Sequence, residues 1–226
     1  MPDAASLYPW FVYIHLLLFV FWLGADLGVF ILGQHFRKPS YSIAERLTIL
    51  KLLVITDMGP RTAWALMVPV TITMLALGNY WAVPLWGVAF SWAVGGGWLW
   101  LVWYAHAQGQ NDQAAKARKF EDALKWGLAA FYLGLGGLSF ATGAPLAEHW
   151  LASKALLFGV IFVVAIMIDV AFKPVGPLLG ALIAEGSSPK TEVPLLKAMN
   201  TTRIWVTGIY ILLVVTSLLG NMKPAF

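Results

Sequence analysis

Six stretches of this sequence are apolar, nearly uncharged and each about 20 residues long, the length at which an α-helix crosses a lipid bilayer. They predict spans over 8–33, 55–77, 84–107, 122–142, 153–172 and 203–220. Only 12% of the 226 residues are charged, against about 25% in a soluble domain, so little of the chain is left to face water. The fold class is therefore all-α: a polytopic integral membrane helix bundle of about six transmembrane helices around a four-helix core. No soluble domain or low-complexity tract interrupts it, which makes residues 1–226 a single transmembrane domain. The first span lacks a basic leader and an A-x-A-like site, and it exceeds the ~7–15 residues of a signal-peptide core, so it reads as retained.

The start of the second span is open. "TDMGPRTAW" carries a Gly-Pro break at Gly59-Pro60, so "YSIAERLTILKLLVI" reads as a separate helix at the membrane interface or as the start of the same span. Basic residues orient the bundle. Arg37, Lys38, Arg46 and Lys51 follow span one; Lys116, Arg118, Lys119 and Lys125 follow span three; Lys173, Lys190, Lys197 and Arg203 follow span five. The opposite side holds little beyond Lys154 and Lys223. The positive-inside rule places the three basic loops in the cytoplasm and both termini outside, in a bacterial inner membrane. The net charge of +4 thus records topology rather than nucleic-acid binding. Small residues permit close helix contact at Gly24 and Gly28, at Gly95–Gly97, and at Gly134, Gly136 and Gly137.

Two ionisable residues stand inside the first span, His15 and Asp26. Such groups are costly in lipid, so they are candidates for function. His15 lies about 10 Å below the outer end of its helix, and His106 about 33 Å below the outer end of span three. Two axial ligands of one iron must come within about 4 Å of each other, so these two cannot share a metal. The pairings left are His15 with His149 in the outer half, and His35 with His106 in the inner half. Asp26 has Arg61 or Lys173 as prospective partners, for helix docking or for a proton relay. The absence of cysteine excludes disulfides, iron–sulfur clusters, thiolate metal sites and covalent c-type haem. It leaves b-type haem, which needs only imidazole ligands and a slot between helices. Arg61 and Arg37 would suit haem propionates, because guanidinium binds carboxylate bidentately.

The order of residues in the first half is similar to that of the bacterial membrane-haem protoporphyrinogen oxidases and, more loosely, of the copper-resistance D family. The resemblance rests on His15, Trp22 with Gly24, His35, "AERL" at Ala44–Leu47, "DMGPRTAW" at Asp57–Trp64, and "VWYAHAQG" with His106. It covers roughly half the chain. Those oxidases have four spans and carry a lysine in the third, which this chain lacks. What the resemblance implies is a haem b with His15 as axial ligand.

Three functions follow as expectations. The first is a haem b membrane redox protein, an oxidoreductase or electron carrier taking electrons from a quinol or a porphyrinogen. In it His15 would bind iron, and His106 and His35 a second haem or a propionate, with quinone or porphyrin as small partners. The second is a transporter, with copper suggested by the looser resemblance and Met58, Met67, Met74 and Met199 as soft ligands in principle; Met67 and Met74, seven apart in an apolar helix, read as core. The third is a scaffold subunit of a homo-oligomer or larger membrane complex.

Overall fold

The computed structural model describes residues 4–225, and side chains from Ser6 onward. Among these residues there are seven α-helices and no strand: α1 Ala4–Phe36, α2 Ile43–Leu77, α3 Leu85–Gln108, α4 Asp112–Thr142, α5 His149–Phe172, α6 Val175–Glu185 and α7 Pro189–Met222. Five stretches are long and apolar enough to cross a membrane: α1, α2, α3, α5 together with α6, and α7. The protein is an all-α integral membrane bundle. The remaining long helix, α4, contains the predicted fourth span as its second part. Its first turns carry Asp112, Lys116, Arg118, Lys119, Glu121 and Asp122, and this charge sets it apart in composition from the other five.

Several boundaries differ from the sequence expectation, each for a local reason. The stretch expected as a possible interfacial helix belongs to an unbroken α2. Ser42 and Glu45 form a reciprocal capping box at its start, with the Ser42 N–H donating to Glu45 Oε2 at 2.7 Å. Pro60 and Pro69 then lie within the helix. Such prolines are tolerated in membrane bundles, where neighbouring helices pack against the interrupted turn. α4 begins ten residues before the predicted span because the Asn111 side chain accepts from the Ala114 N–H at 2.8 Å. α7 begins at Pro189, behind the Ser188–Thr191 capping pair, so most of the expected last basic loop is helical. α6 occupies the rest of it.

Consecutive long helices pack side by side, and α7 returns to touch α1. The expected four-helix core is therefore wider. One buried cluster draws Trp22 from α1, Trp64 from α2, Trp98 from α3, Tyr132 from α4, Phe162 from α5 and Ile209 from α7. A second, smaller core joins the end of α1 to α6 and the start of α7 through Phe36, Val175, Leu182 and Leu195. Arg46, counted among the basic residues that follow span one, is fully buried in this region. Its guanidinium donates to the Phe36 carbonyl and to Glu192 Oε1, both at 2.8 Å.

Glycine sets the closest helix contacts. A Cβ on Gly136 of α4 would lie 2.6–2.8 Å from Leu156 and the Ala152 carbonyl of α5, and one on Gly159 of α5 would lie 2.7–2.9 Å from Leu133 of α4. The α4–α5 crossing thus depends on both glycines. Gly24, Gly96, Gly97, Gly134 and Gly137 have open space where a side chain would go. Gly136→Leu should lower the melting temperature in detergent, at a cost of about 1–3 kcal/mol for overpacking, whereas Gly134→Leu should leave it nearly unchanged.

Candidate functional site

The polar residues inside the bundle fall on repeating faces. On α1 His15, Trp22 and Asp26 are separated by seven and four positions; on α2 Asp57, Arg61, Trp64 and Thr71 by four, three and seven. On α4 Glu121, Lys125 and Tyr132 follow at four and seven, and on α5 Lys154, Phe158, Phe162 and Asp169 at four, four and seven. Steps of three, four and seven return to one side of a helix. Helices α1, α2 and α5 therefore present a charged end, an aromatic middle and a second polar end to the bundle, and α4 presents the charged end and the aromatic middle.

At the charged end, Arg61 donates from Nε to Asp57 Oδ2 at 2.6 Å and reaches Glu121 at 3.7 Å and Asp169 at 3.8 Å. Lys125 Nζ bonds both Glu121 Oε1 and Asp169 Oδ2 at 2.9 Å. Lys125 and Glu121 are buried, and the other three are half-buried. Asp26 lies within electrostatic reach of Asp57 and Arg61, and its backbone carbonyl accepts from the Tyr210 hydroxyl at 2.9 Å. Three carboxylates thus contact two cations, with Asp26 and Asp122 within electrostatic reach. Removing ions from water costs several kcal/mol each unless they are paired and hydrogen-bonded; here each cation holds at least two carboxylates.

The middle is aromatic. Trp64 packs edge-on to Trp98 at 4.8 Å, tilts against Phe162 at 4.7 Å and stacks on Trp22 at 5.6 Å. Tyr132 lies edge-on to Phe158 at 4.7 Å. Trp98 Nε1 donates to Glu121 Oε1 at 3.3 Å, which ties the aromatic layer to the charged end. Beyond it His15 Nδ1 meets the Thr71 hydroxyl at 3.3 Å, with Lys154 of α5 within electrostatic reach of His15. Lys223, past the end of α7, donates to the Tyr80 hydroxyl at 3.2 Å. That bond holds its ammonium above the usual lysine range.

The predicted site residues are placed apart. His35 Nδ1 lies 2.8 Å from the Tyr41 hydroxyl. His106 is edge-on to Trp103 at 6.1 Å, and His149 stacks on Phe140 at 5.7 Å. Arg37 donates to Asn200 Oδ1 at 2.7 Å. Arg61, expected at a haem propionate, is engaged by carboxylates of the chain itself. No group of three or more His, Asp or Glu is arranged to hold a metal among the described residues. A cleft of about 390 Å³ beside α1 is walled by Leu18, Phe21, Met58, Thr62 and Trp103 and includes no histidine. His149 lines a separate cleft of about 430 Å³ with Glu148 and Pro224. Met58, Met67 and Met199 are buried in the apolar cores.

Sequence reasoning missed Asp57, Glu121, Lys125 and Asp169 as site members, and it took Lys125 for a loop residue that marks topology. The signal was present: each of these falls within or beside a predicted span, and Asp57/Arg61 and Glu121/Lys125 are both four apart. The fold and site define an α-helical integral membrane protein with a charged centre between its helices. No protein-family model matches the chain, and no curated protein or solved structure is significantly similar to it.

Proposed function

We propose that this protein is a membrane transporter that moves protons along the axis of its bundle and loads them on the carboxylates of Asp26, Asp57, Glu121 and Asp169. The observation that carries this reading is a surplus of carboxylates: Asp57, Glu121 and Asp169 contact only two cations, Arg61 and Lys125, with Asp26 and Asp122 within electrostatic reach. Protonation is the simplest way to offset the excess negative charge. Arg61 and Lys125 stand between the carboxylates, where a metal ion would need oxygen ligands. An ion network kept only to dock helices has no use for the excess, and well-packed apolar residues often hold elements together as firmly. The half-buried carboxylates of Asp57 and Asp169 offer a route in for protons. With the basic residues cytoplasmic, the charged end lies in the inner half of a bacterial inner membrane, and His15 and Lys154 lie in the outer half. Alkaline phosphatase fused to the C-terminus should then be active, and a fluorescent protein that needs the cytoplasm should stay dark there.

In liposomes with an internal pH dye and an imposed potassium potential, the protein should carry protons inward. The paired replacement Glu121→Gln with Lys125→Met removes one charge of each sign, so it should keep the fold. It should cut the flux by about 10²-fold, the scale of losing a positioned proton-transfer group. Flux equal to that of empty liposomes, or flux untouched by the double variant, would sink the reading.

A second reading is favoured by the geometry of His15. Thr71 binds Nδ1 and leaves Nε2 open, the arrangement in which a neighbouring group orients a metal-ligating imidazole. Together with the resemblance in the first half of the chain, this supports a haem b membrane redox protein with His15 as its axial ligand. The purified protein should then show a Soret band that His15→Ala removes. A colourless preparation from haem-replete cells would reject it.

A further inference from the structure

Two buried polar atoms in the aromatic layer have no hydrogen-bond partner among the described residues: Trp64 Nε1 and the Tyr132 hydroxyl. Trp64 is 7% exposed and Tyr132 3%, so bulk water does not serve either. Folded proteins seldom leave such groups unpaired, and internal water is the usual partner where protein atoms are not. Both rings flank Phe162, at 4.7 Å from Trp64 and 6.0 Å from Tyr132. They lie between the carboxylate cluster and the His15 end. The ammonium of Lys125 stands 5.9 Å from the Trp64 ring. Two of its three N–H groups are taken by Glu121 and Asp169, and the third is left over.

From this geometry we infer that Trp64 and Tyr132 hold bound water inside the aromatic layer, between the two polar ends of the bundle. The chemistry of the two groups suits the task. An indole N–H only donates, so it anchors a water through the water's oxygen; a phenol hydroxyl both donates and accepts, so it can pass a proton on. Resting on the transport reading above, the step is a hop. A proton arrives on the water from the His15 side, and another leaves toward a carboxylate of the charged end. The water is regenerated, the donor on the His15 side loses one proton, and the carboxylate gains one.

The test is hydroxyl-radical labelling of the full chain in detergent by a short X-ray pulse, in which water bound beside a buried side chain adds oxygen to that side chain. Trp64 and Tyr132 should be labelled despite their burial, and Phe36, buried in the second core, should not. Tyr132→Phe keeps the ring and should lose the label at Trp64. It should also slow proton flux about tenfold, the factor for losing one hydrogen bond's contribution to a barrier. Labelling at Trp64 and Tyr132 no greater than at Phe36 would overturn the inference, even if the flux is present. Labelling without flux would keep the water site and discard the transport reading.

Discussion

Charge in a low-dielectric interior is the constraint on which this structure depends. An ammonium or carboxylate facing lipid alone is costly, so every such group inside the bundle must find a partner or water. The partners of Arg61 and Lys125 come from three helices: Asp57 from α2, Glu121 from α4 and Asp169 from α5. A shift of one helix by a single residue would turn its charge by about 100° and break several bonds at once. Apolar packing alone would not penalise such a shift as sharply, because lipid tails and leucine side chains resemble each other. The ion cluster therefore sets the register of α2, α4 and α5, and close glycine contacts set the distance between α4 and α5.

The same rule works at the other polar points. Arg46, enclosed near the second core, is satisfied by the Phe36 carbonyl and Glu192 and so fastens α2 to the end of α1 and the start of α7. Lys223 rests over the rings of Tyr80 and Trp150 at 5.6 and 5.5 Å. There a cation at the rim of the bundle gains from aromatic faces what the charged end gains from carboxylates. The aromatic layer between the ends draws its rings from five helices and separates two polar environments that would otherwise be continuous. Separation of that kind is what a pathway needs and what a simple docking network does not.

Much of the fold was legible in the sequence, because the bilayer ties helix length to the length of an apolar run. The spans 84–107 and 153–172 lie within a few residues of α3 and α5. The helices outrun the predicted spans where polar residues continue them beyond the hydrophobic stretch: Asp112 to Glu121 in α4 and Pro189 to Thr202 in α7, with the amphipathic α6 lying between spans. Hydropathy sees the membrane and not the helix. The site was less legible. Lys125 and Arg46 look like any basic residue near a span end, and only packing shows that both are buried. Nor can the sequence say which of Gly134, Gly136 and Gly137 meets a neighbouring backbone, since adjacent positions point in different directions until the partner helix is placed.

The two ionisable residues of the first helix show how far a sequence pattern reaches. Eleven positions separate His15 from Asp26, about three helical turns, so they lie on one face roughly 16 Å apart. That spacing alone allows a shared inward surface but does not say what joins them. The structure supplies it, placing Trp22 between them, stacked on Trp64 and edge-on to Phe158 at 6.4 Å. The inward face of α1 is then a sample of the whole axis: imidazole at one end, indole in the middle, carboxylate at the other. Two other helices, α2 and α5, repeat this order with different side chains, and α4 repeats its charged and aromatic parts. A residue kept to dock α1 would need a partner only where it stands, whereas a repeated order across three helices makes the axis itself the unit on which function should be sought.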